Sequence, residues 1–202
     1  MKKDNFAERA AQWDSPEKIE MTEKFITEML LHVNPHSDSK ALEIGSGTGL
    51  VGLQITPLVH RIVFEDTSEA MLKILKQKLP KDSKAEILHG EIYDYTHQDI
   101  DLVFSCMAFH HIPDIDKTLQ HLAKITNPNA IVVIGDLLSE DGSFHRFEPI
   151  AQRGFEIATL SEQFRQAGFL ILTAHSYNTL SKESEKGKIT EYEQFILIAK
   201  KK

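Results

Sequence analysis

Apolar residues along this chain form short continuous runs that alternate with segments of helical spacing. Five apolar runs predict buried strands, at residues 41–44, 61–65, 85–89, 101–105 and 130–136. Apolar spacing and flanking polar residues predict helices at residues 6–32, 49–58, 66–78 and 116–124. We expect Pro35 and Pro80 to close the first and third of these helices. Asp66-Thr67-Ser68 offers the N-cap chemistry for the third.

The C-terminal part of the chain predicts one more helix and a pair of strands. Thr159-Leu160-Ser161-Glu162 has the spacing of a capping box, and Gly168 stands where the residue after a helix end belongs. Residues 169–175 and 192–200 predict two strands joined by a polar loop over residues 178–190. Since the earlier strands alternate with helices, we expect an α/β fold. The expected sheet is doubly wound, with seven strands that are mostly parallel and an antiparallel hairpin at its C-terminal edge.

Composition narrows the classes of protein to which the chain can belong. Its 202 residues predict a single domain, and its formal net charge of −7 provides no general attraction for nucleic acid or anionic membranes. Cys106, the single cysteine, is expected to be a buried and inert thiol. No apolar stretch follows Lys2 and Lys3, and none approaches the roughly 18 residues that span a bilayer. We therefore expect a cytoplasmic protein with neither nucleic acid nor membrane as a partner.

The stretch ALEIGSGTGLVG, residues 41–52, places four glycines directly after the first predicted strand. A glycine-rich turn between a strand and a helix lets a ligand approach backbone N–H groups. The segment from Gly47 to Gly52 fits the fingerprint of dinucleotide-binding proteins, with Asp66 near the expected position of the ribose-binding acid. The overlapping segment from Glu43 to Gly49 fits a second pattern, acid-x-Gly-x-Gly-x-Gly. The glycines alone leave both interpretations open.

Other segments favour the second pattern. Residues 43–49 look like motif I of the class I S-adenosylmethionine-dependent methyltransferases, and FEDTSEAML (64–72) resembles their second motif. HGEIYDY (89–95) is similar to the segment that borders the adenine in this family. DLVFSCMAFHHIPD (101–114) and FAERAAQWD (6–14) resemble the small-molecule branch, of the methyltransferase type 11/12 kind. The resemblance extends from residue 6 to the closing FILIAK.

The resemblance implies a cofactor, S-adenosylmethionine, and a division of the single domain into two parts. Residues 1–36 are expected to form a helical lid, and residues 37–202 a Rossmann-like core. Asp66 is expected to bind the ribose hydroxyls, while Glu91 and Ile92 border the adenine. The cofactor-binding residues implied are Trp13, Glu43, Gly45, Ser46, Gly47, Gly49, Asp66, Thr67, Met71, Glu91, Ile92 and Ser105. Structural roles stay open for several of them, such as a helix cap for Asp66 and a core position for Trp13.

The catalytic and acceptor sites are less clearly marked. His110 and His111 follow the fourth predicted strand, and a histidine there suits a general base, although structural roles are open for both. Phe144 and His145 follow the fifth strand, where acceptor-facing segments of this fold are expected. Residues 105–108 read Ser-Cys-Met-Ala, unlike the Asp/Asn-Pro-Pro-Tyr motif of nucleic acid methyltransferases. We therefore expect a small-molecule acceptor that receives the methyl group by in-line transfer.

No metal site is expected from the sequence, and three other functions remain open. No acid ends the fourth strand to hold Mg²⁺, and Pro35 interrupts a helical face for His32 and His36. An NAD(P)-dependent oxidoreductase fits less well, because Glu43, Glu65 and Asp66 would face a diphosphate. A non-catalytic protein that binds S-adenosylmethionine or S-adenosylhomocysteine, or a subunit of a larger methyltransferase, is a second alternative. An enzyme that transfers another group from a modified adenosylmethionine is the third.

Overall fold

The computed structural model describes residues 4, 6–146, 150–185 and 188–202, and a single seven-stranded sheet organises them. The strand order is β3-β2-β1-β4-β5-β7-β6. The strands are β1 Lys40–Ile44, β2 Arg61–Asp66, β3 Ala85–His89, β4 Ile100–Cys106, β5 Thr126–Leu137, β6 Phe169–Glu185 and β7 Lys188–Lys201. The first five pair in parallel, whereas β7 pairs antiparallel with both β5 and β6. This confirms the predicted α/β sheet with its antiparallel C-terminal edge.

Helices cover both faces of the sheet. They are α1 Pro16–His32, α2 Gly52–Ile55, α3 Glu69–Lys78, α4 Ile115–Ile125 and α5 Ile157–Gln166. Short 3-10 turns lie at Ala10–Gln12, Thr56–Leu58, Ile92–Asp94, Phe109–His111 and Ser143–His145. The side chains of Ser15, Ser68 and Asp114 cap α1, α3 and α4 by accepting backbone N–H groups. In the described part of the chain, no helix is long and apolar enough to cross a bilayer.

Alternation along the strands builds a separate core on each face. Leu42 and Ile44 of β1 join the core that α4 and α5 cover, whereas Ala41 joins the core that α1, α2 and α3 cover. Buried phenylalanines contribute to both cores, with Phe25 and Phe64 on one face and Phe164 on the other. Each fully buried side chain of this size stabilises the fold by about 1.5–3 kcal/mol. The two cores hold the ends of the parallel strands in fixed positions.

Two predicted N-terminal helices are shorter than expected because local backbone geometry interrupts them. The segment 6–32 divides into the turn Ala10–Gln12 and α1, since Pro16 disfavours a helical conformation at Ser15. The helix predicted over residues 49–58 is also wrong in its extent. Gly49 has φ +85°, a left-handed conformation that delays the start of α2 to Gly52. The glycine loop is therefore a longer non-helical segment than the sequence pattern indicates.

The C-terminal predictions need two corrections. Residues 178–190, predicted as a polar loop, lie largely in β6 and β7, where Leu180 pairs with Tyr192 and Lys182 with Thr190. Here β6 and β7 extend beyond the part of the sheet that the helices cover. Their backbone groups are paired, but side chains that no helix covers need not be apolar. The capping box at Thr159 is also wrong, because α5 begins at Ile157 and its N-cap residue is Glu156.

Candidate active site

The candidate site lies where the parallel strands end, on either side of the boundary between β1 and β4. The chain builds β1, β2 and β3 on one side of this boundary and β4 and β5 on the other. In open α/β sheets, ligands bind in the crevice outside the carboxyl ends of the strands at such a switch point. The glycine loop leaves the end of β1, and the segment with His110 and His111 leaves the end of β4. Both predicted halves of the site therefore meet here.

The end of β2 fixes the glycine loop through its backbone N–H groups. The Gly45 N–H donates to Glu65 Oε2 at 3.2 Å, and the Gly47 N–H donates to Asp66 Oδ2 at 2.7 Å. Between them, the Ser46 N–H donates to the carbonyl oxygen of Glu65 at 2.8 Å. Together these three contacts hold the loop in one conformation. The hydroxyl oxygen of Ser46 is buried and has no hydrogen-bond partner among the described residues.

The glycines of the loop serve different purposes. Gly45, Gly47 and Gly49 have φ values of +65°, +54° and +85°, which other residues rarely adopt. A Cβ atom on Gly45 would lie 2.3 Å from the Cβ atom of Ala108, so this glycine admits the segment that follows β4. Among the described residues, a Cβ atom on Gly47 would meet only Trp13 Nε1, at 3.6 Å. The backbone of Gly47 therefore faces the N-terminal segment, away from the protein core.

Three buried carboxyl groups lie around this loop. Burial raises the pKa of Glu43 well above its ordinary value, and it raises the pKa of Glu65 to about 8. Burial also raises the pKa of Asp66, against the opposing effect of the Ser68 and Gly47 N–H groups. Glu43 Oε2 lacks a hydrogen-bond partner within the described residues and packs beneath Gly52, where a Cβ atom would lie 2.2 Å from it. A cationic ligand above the loop would favour the charged forms of these carboxyls.

The N-terminal segment, residues 4 and 6–14, covers the glycine loop. Asp14 accepts a hydrogen bond from Thr48 Oγ1 and pairs with Lys78 Nζ, both at 2.5 Å. Lys78 also donates to the carbonyl oxygen of Thr48 at 2.8 Å. Trp13 lies beside Gly47, and the Lys18 ammonium sits 3.0 Å from the centroid of its ring. Sequence reasoning singled out Trp13 but missed Asp14 and Lys78, whose roles depend on contacts 30 to 64 residues apart.

The same segment reaches the histidines on the other side of the crevice. The Phe6 ring lies 5.7 Å from the Trp13 ring and 5.5 Å from the His111 ring, both edge to face. Asp4 accepts a hydrogen bond from Ser68 Oγ at 2.9 Å, at the start of α3. The segment therefore contacts both halves of the site.

The remaining predicted cofactor residues occupy different environments. Glu91 and Thr67 are exposed, whereas Ile92 is buried against the core beneath α4. Met71 is buried in the first turn of α3, where its N–H donates to Ser68 Oγ. Ser105 is fully buried, and its hydroxyl donates to the carbonyl oxygen of Ile44 at 3.1 Å. That bond links β4 to β1 and uses the hydroxyl proton. Ser105 therefore stabilises the crevice by holding these two strands together.

A buried histidine–aspartate pair lies across the crevice. His110 Nδ1 is 2.6 Å from Asp136 Oδ1, and the backbone N–H of His110 donates to Asp136 Oδ2 at 3.0 Å. His110 is 1% exposed and Asp136 is fully buried. His110 Nε2 is buried and has no hydrogen-bond partner among the residues described. A carboxylate at Nδ1 selects the tautomer in which Nε2 carries the lone pair, which is the form of a general base.

Sequence reasoning identified His110 but missed Asp136. The signal was present, since Asp136 is an acid at the end of the apolar run AIVVIGD, and a buried acid in such a strand needs a partner. The pairing itself connects residues 26 positions apart and follows only from the adjacency of β4 and β5.

Aromatic rings surround this pair. The ring centroids of His111 and His145 lie 4.3 Å and 4.9 Å from that of His110. Loss of solvent, together with the nearby His110 and His145, lowers the pKa of His111, which favours its neutral form. Phe144 contacts both His145 and Tyr192, with centroid distances of 5.0 Å and 5.1 Å. The structure thus brings together the four residues predicted for catalysis and acceptor binding.

The residues around the glycine loop fit S-adenosylmethionine. The cofactor carries an ammonium and a sulfonium, which suit a crevice with three buried carboxyl groups. The missing side chain of Gly47 and the Ser46 hydroxyl, which has no hydrogen-bond partner among the described residues, suit a ligand that approaches the backbone closely. Asp66, at the end of β2, accepts hydrogen bonds from the N–H groups of Gly47 and Ser68.

Comparisons with known proteins agree with this fit. Residues 42–134 match the family model described as a methyltransferase domain. An uncharacterized methyltransferase from Oceanobacillus iheyensis is 32% identical over 117 residues, covering 56% of this chain and 54% of the relative. Another uncharacterized methyltransferase, from Schizosaccharomyces pombe, is 28% identical over 120 residues, covering 54% of this chain and 42% of the relative. The chain thus spans about half the length of these curated relatives.

A solved structure extends the similarity to the whole fold. A chain in the complex between the Haloferax volcanii Trm112 methyltransferase activator and a putative methyltransferase matches with a TM-score of 0.81. The match has 18% identity and covers 99% of both chains. Residues 42–134 therefore resemble a methyltransferase domain, and the chain as a whole shares the fold of a methyltransferase structure.

Proposed function

We propose that this protein transfers a methyl group from S-adenosylmethionine to a small-molecule acceptor. The observation that carries the proposal is the position of the acidic glycine loop beside the buried His110–Asp136 pair. The contact between Gly45 and Ala108 joins these two elements directly. One side suits a cationic cofactor, and the other suits removal of a proton from an acceptor.

The cofactor is held by the loop and the end of β2. When bound, S-adenosylmethionine supplies a methyl carbon that is activated by its sulfonium leaving group. Asp66 accepts hydrogen bonds from the ribose hydroxyls, and the exposed Glu91 lies beside the adenine. Glu43 and Glu65 are buried beneath the loop. Their negative charge therefore attracts the bound cation from below. In-line transfer then depends mainly on alignment and on exclusion of water.

Within residues 1–36, the described residues serve as a lid on the core. The described part of this lid contacts the loop through Asp14 and the histidines through Phe6. Because Trp13 lies directly beside Gly47, entry of the cofactor requires the segment to move. Reclosure over the bound cofactor would exclude water from the reacting groups.

His110 acts as the general base for the acceptor. The Asp136 carboxylate accepts the Nδ1–H bond, which leaves the lone pair of Nε2 to take a proton from an acceptor hydroxyl or amine. The same carboxylate then stabilises the imidazolium that forms. His111, His145 and Phe144 line this side of the crevice and favour a small acceptor with an apolar or aromatic surface.

A turnover assay with a metabolite panel tests this function. Purified protein is incubated with methyl-labelled S-adenosylmethionine and panels of small hydroxyl, amine and thiol compounds, and S-adenosylhomocysteine is measured. We expect turnover with at least one acceptor, at a rate that depends on His110. Binding of the cofactor without turnover on any panel, alone or with an added activator protein, would favour a non-catalytic binding protein.

A further inference from the structure

A cluster of metal-ligating side chains lies outside the active site, where α1 packs on β6. Glu28 and His32 occupy positions four residues apart on α1 and so share one face of the helix. His175 approaches them from β6, where it pairs with Ile196 of β7. The rings of Phe25 and Tyr177 also meet across this contact, with centroids 6.4 Å apart. Both sides of the cluster are therefore positioned by packed elements.

The three side chains converge on one point. His32 Nε2 lies 3.2 Å from Glu28 Oε1, and His175 Nε2 lies 2.9 Å from the same oxygen. One ligand atom from each residue lies within 4.8 Å of the others. Ligand atoms about 2.0–2.1 Å from a tetrahedral Zn²⁺ ion are separated by about 3.3–3.4 Å. The observed spacing therefore needs only small side-chain movements to accept an ion.

We propose that Glu28, His32 and His175 form a binding site for a divalent transition-metal ion of the Zn²⁺ class. Two imidazole nitrogens and one carboxylate oxygen suit Zn²⁺, whereas Mg²⁺ and Ca²⁺ prefer sets of oxygen ligands. The side chains are 21–39% exposed, so an ion has access from solvent and keeps at least one position for water. Bound there, the ion ties α1 to β6.

The surroundings of the cluster support the same assignment. His175 Nδ1 lies 3.2 Å from Thr173 Oγ1, an interaction that orients the ring and directs Nε2 toward Glu28. Metal-ligating histidines commonly use their second nitrogen in this way. In the described part of the chain, no lysine or arginine forms an ion pair with Glu28, so no fixed cation competes for its carboxylate.

Sequence reasoning missed this site because one ligand comes from a distant strand. In the sequence, His32 and His36 are four residues apart, but Pro35 between them excludes a shared helical face. In the structure, His32 lies beside Glu28, one turn earlier, and Glu28 also contacts His175, which follows it by 147 residues.

Calorimetric titration with Zn²⁺ alone tests the proposal, using protein without a polyhistidine tag that has been dialysed against a chelator. We expect one Zn²⁺ per chain and a rise in the melting temperature when Zn²⁺ is added. His32→Ala and His175→Ala should each weaken binding by about 10- to 100-fold or more, since changes in supporting residues alone have effects of that size. Thr173→Val should have a smaller effect in the same direction.

The control is His60→Ala, which removes an exposed histidine outside the cluster. It should bind Zn²⁺ like the wild-type protein. Circular dichroism and cofactor binding, measured without Zn²⁺, report whether each variant is folded. Failure of the wild-type protein to bind Zn²⁺ would overturn the site, as would equal affinity in folded His32→Ala, His175→Ala and His60→Ala. Neither result bears on the proposed methyl transfer, because the cluster is separate from the glycine loop.

Discussion

The proposed cofactor side and the proposed acceptor side of the crevice are built in different ways. On the cofactor side, backbone N–H groups of Gly45 and Gly47 donate to the carboxylates of Glu65 and Asp66. On the acceptor side, the defining contact joins two side chains, His110 and Asp136. A site formed by backbone N–H groups depends on glycines, which can be recognised directly in the sequence. A site formed by paired side chains depends on which strands are neighbours in the sheet, and the sequence indicates this only indirectly.

This difference predicts that substitutions on the two sides affect different measurements. Changes on the acceptor side should reduce turnover and leave cofactor affinity almost unchanged. Changes on the cofactor side should reduce affinity first.

Replacement of His110 by Gln should reduce turnover with the true acceptor by about 10²–10⁴-fold, the usual contribution of a general base. Gln retains a polar group for Asp136, which limits the cost of leaving a buried charge without a partner. Cofactor affinity, measured by calorimetry, should stay within a few-fold of the wild-type value. Asp136→Asn should also reduce turnover and change its pH profile, because it alters the tautomer of His110. His97→Ala, at an exposed site, serves as the control, and unchanged turnover in His110→Gln would make the pair structural.

Gly47→Val should abolish measurable cofactor binding while the far-UV circular dichroism spectrum stays near normal. The substitution places a branched side chain where the cofactor approaches, at a φ of +54° that valine tolerates poorly. Gly168→Val is the matched control, since Gly168 also has a positive φ but no atom of a described residue lies within 4 Å of its Cβ position. The control should show the cost of backbone strain without loss of binding. Normal binding in Gly47→Val would reduce the loop to a structural turn.

Asp66→Ala should weaken S-adenosylmethionine binding by roughly 10- to 150-fold. Hydrogen bonds to a charged acceptor contribute about 1.5–3 kcal/mol, and each 1.4 kcal/mol is a factor of ten. Turnover at saturating cofactor should remain near the wild-type rate, which distinguishes this residue from His110. Asp82→Ala, an exposed carboxylate before β3, provides the comparison and should bind normally. Equal affinities for both variants would remove Asp66 from the ribose site.

Glu65 should make the ligand-free protein less stable as the pH rises. Its pKa is raised to about 8 in the folded protein from an ordinary value of 4.5. Between these values the folded state holds more protons than the unfolded chain, so the free energy of unfolding falls from about pH 5 to pH 8. Denaturant unfolding at several pH values should show this slope, and Glu65→Gln should reduce it. Glu191→Gln, at an exposed position on β7, should leave the slope unchanged.

Most of the fold and the glycine loop could be predicted from the sequence, for physical reasons that particular residues illustrate. Buried parallel strands are continuous apolar runs, and Ser68 caps α3 within the predicted Asp66-Thr67-Ser68 segment. The positive φ values of Gly45, Gly47 and Gly49 explain why that spacing of glycines marks the loop.

The acceptor side and the C-terminal hairpin were harder to predict because their interactions are long-range. Asp136 and Tyr192 become site residues through contacts with His110 and Ser143, respectively 26 and 49 residues away. Residues 178–190 have the composition of a loop, but their backbone groups pair across the hairpin. The local sequence pattern predicts where strands and helix caps lie. Which side chains pair across strands can be identified only in the folded structure.

The central claim is that the acidic glycine loop selects a cationic cofactor, and calorimetric titration of the ligand-free protein tests it most directly. S-adenosylmethionine, S-adenosylhomocysteine and NAD are titrated separately at neutral pH, in two buffers with different ionisation enthalpies. We predict binding of the first two, no comparable binding of NAD, and proton release when S-adenosylmethionine binds. The release is expected because a cation lowers the raised pKa of Glu65. Tight binding of NAD without any signal from S-adenosylmethionine would contradict the account.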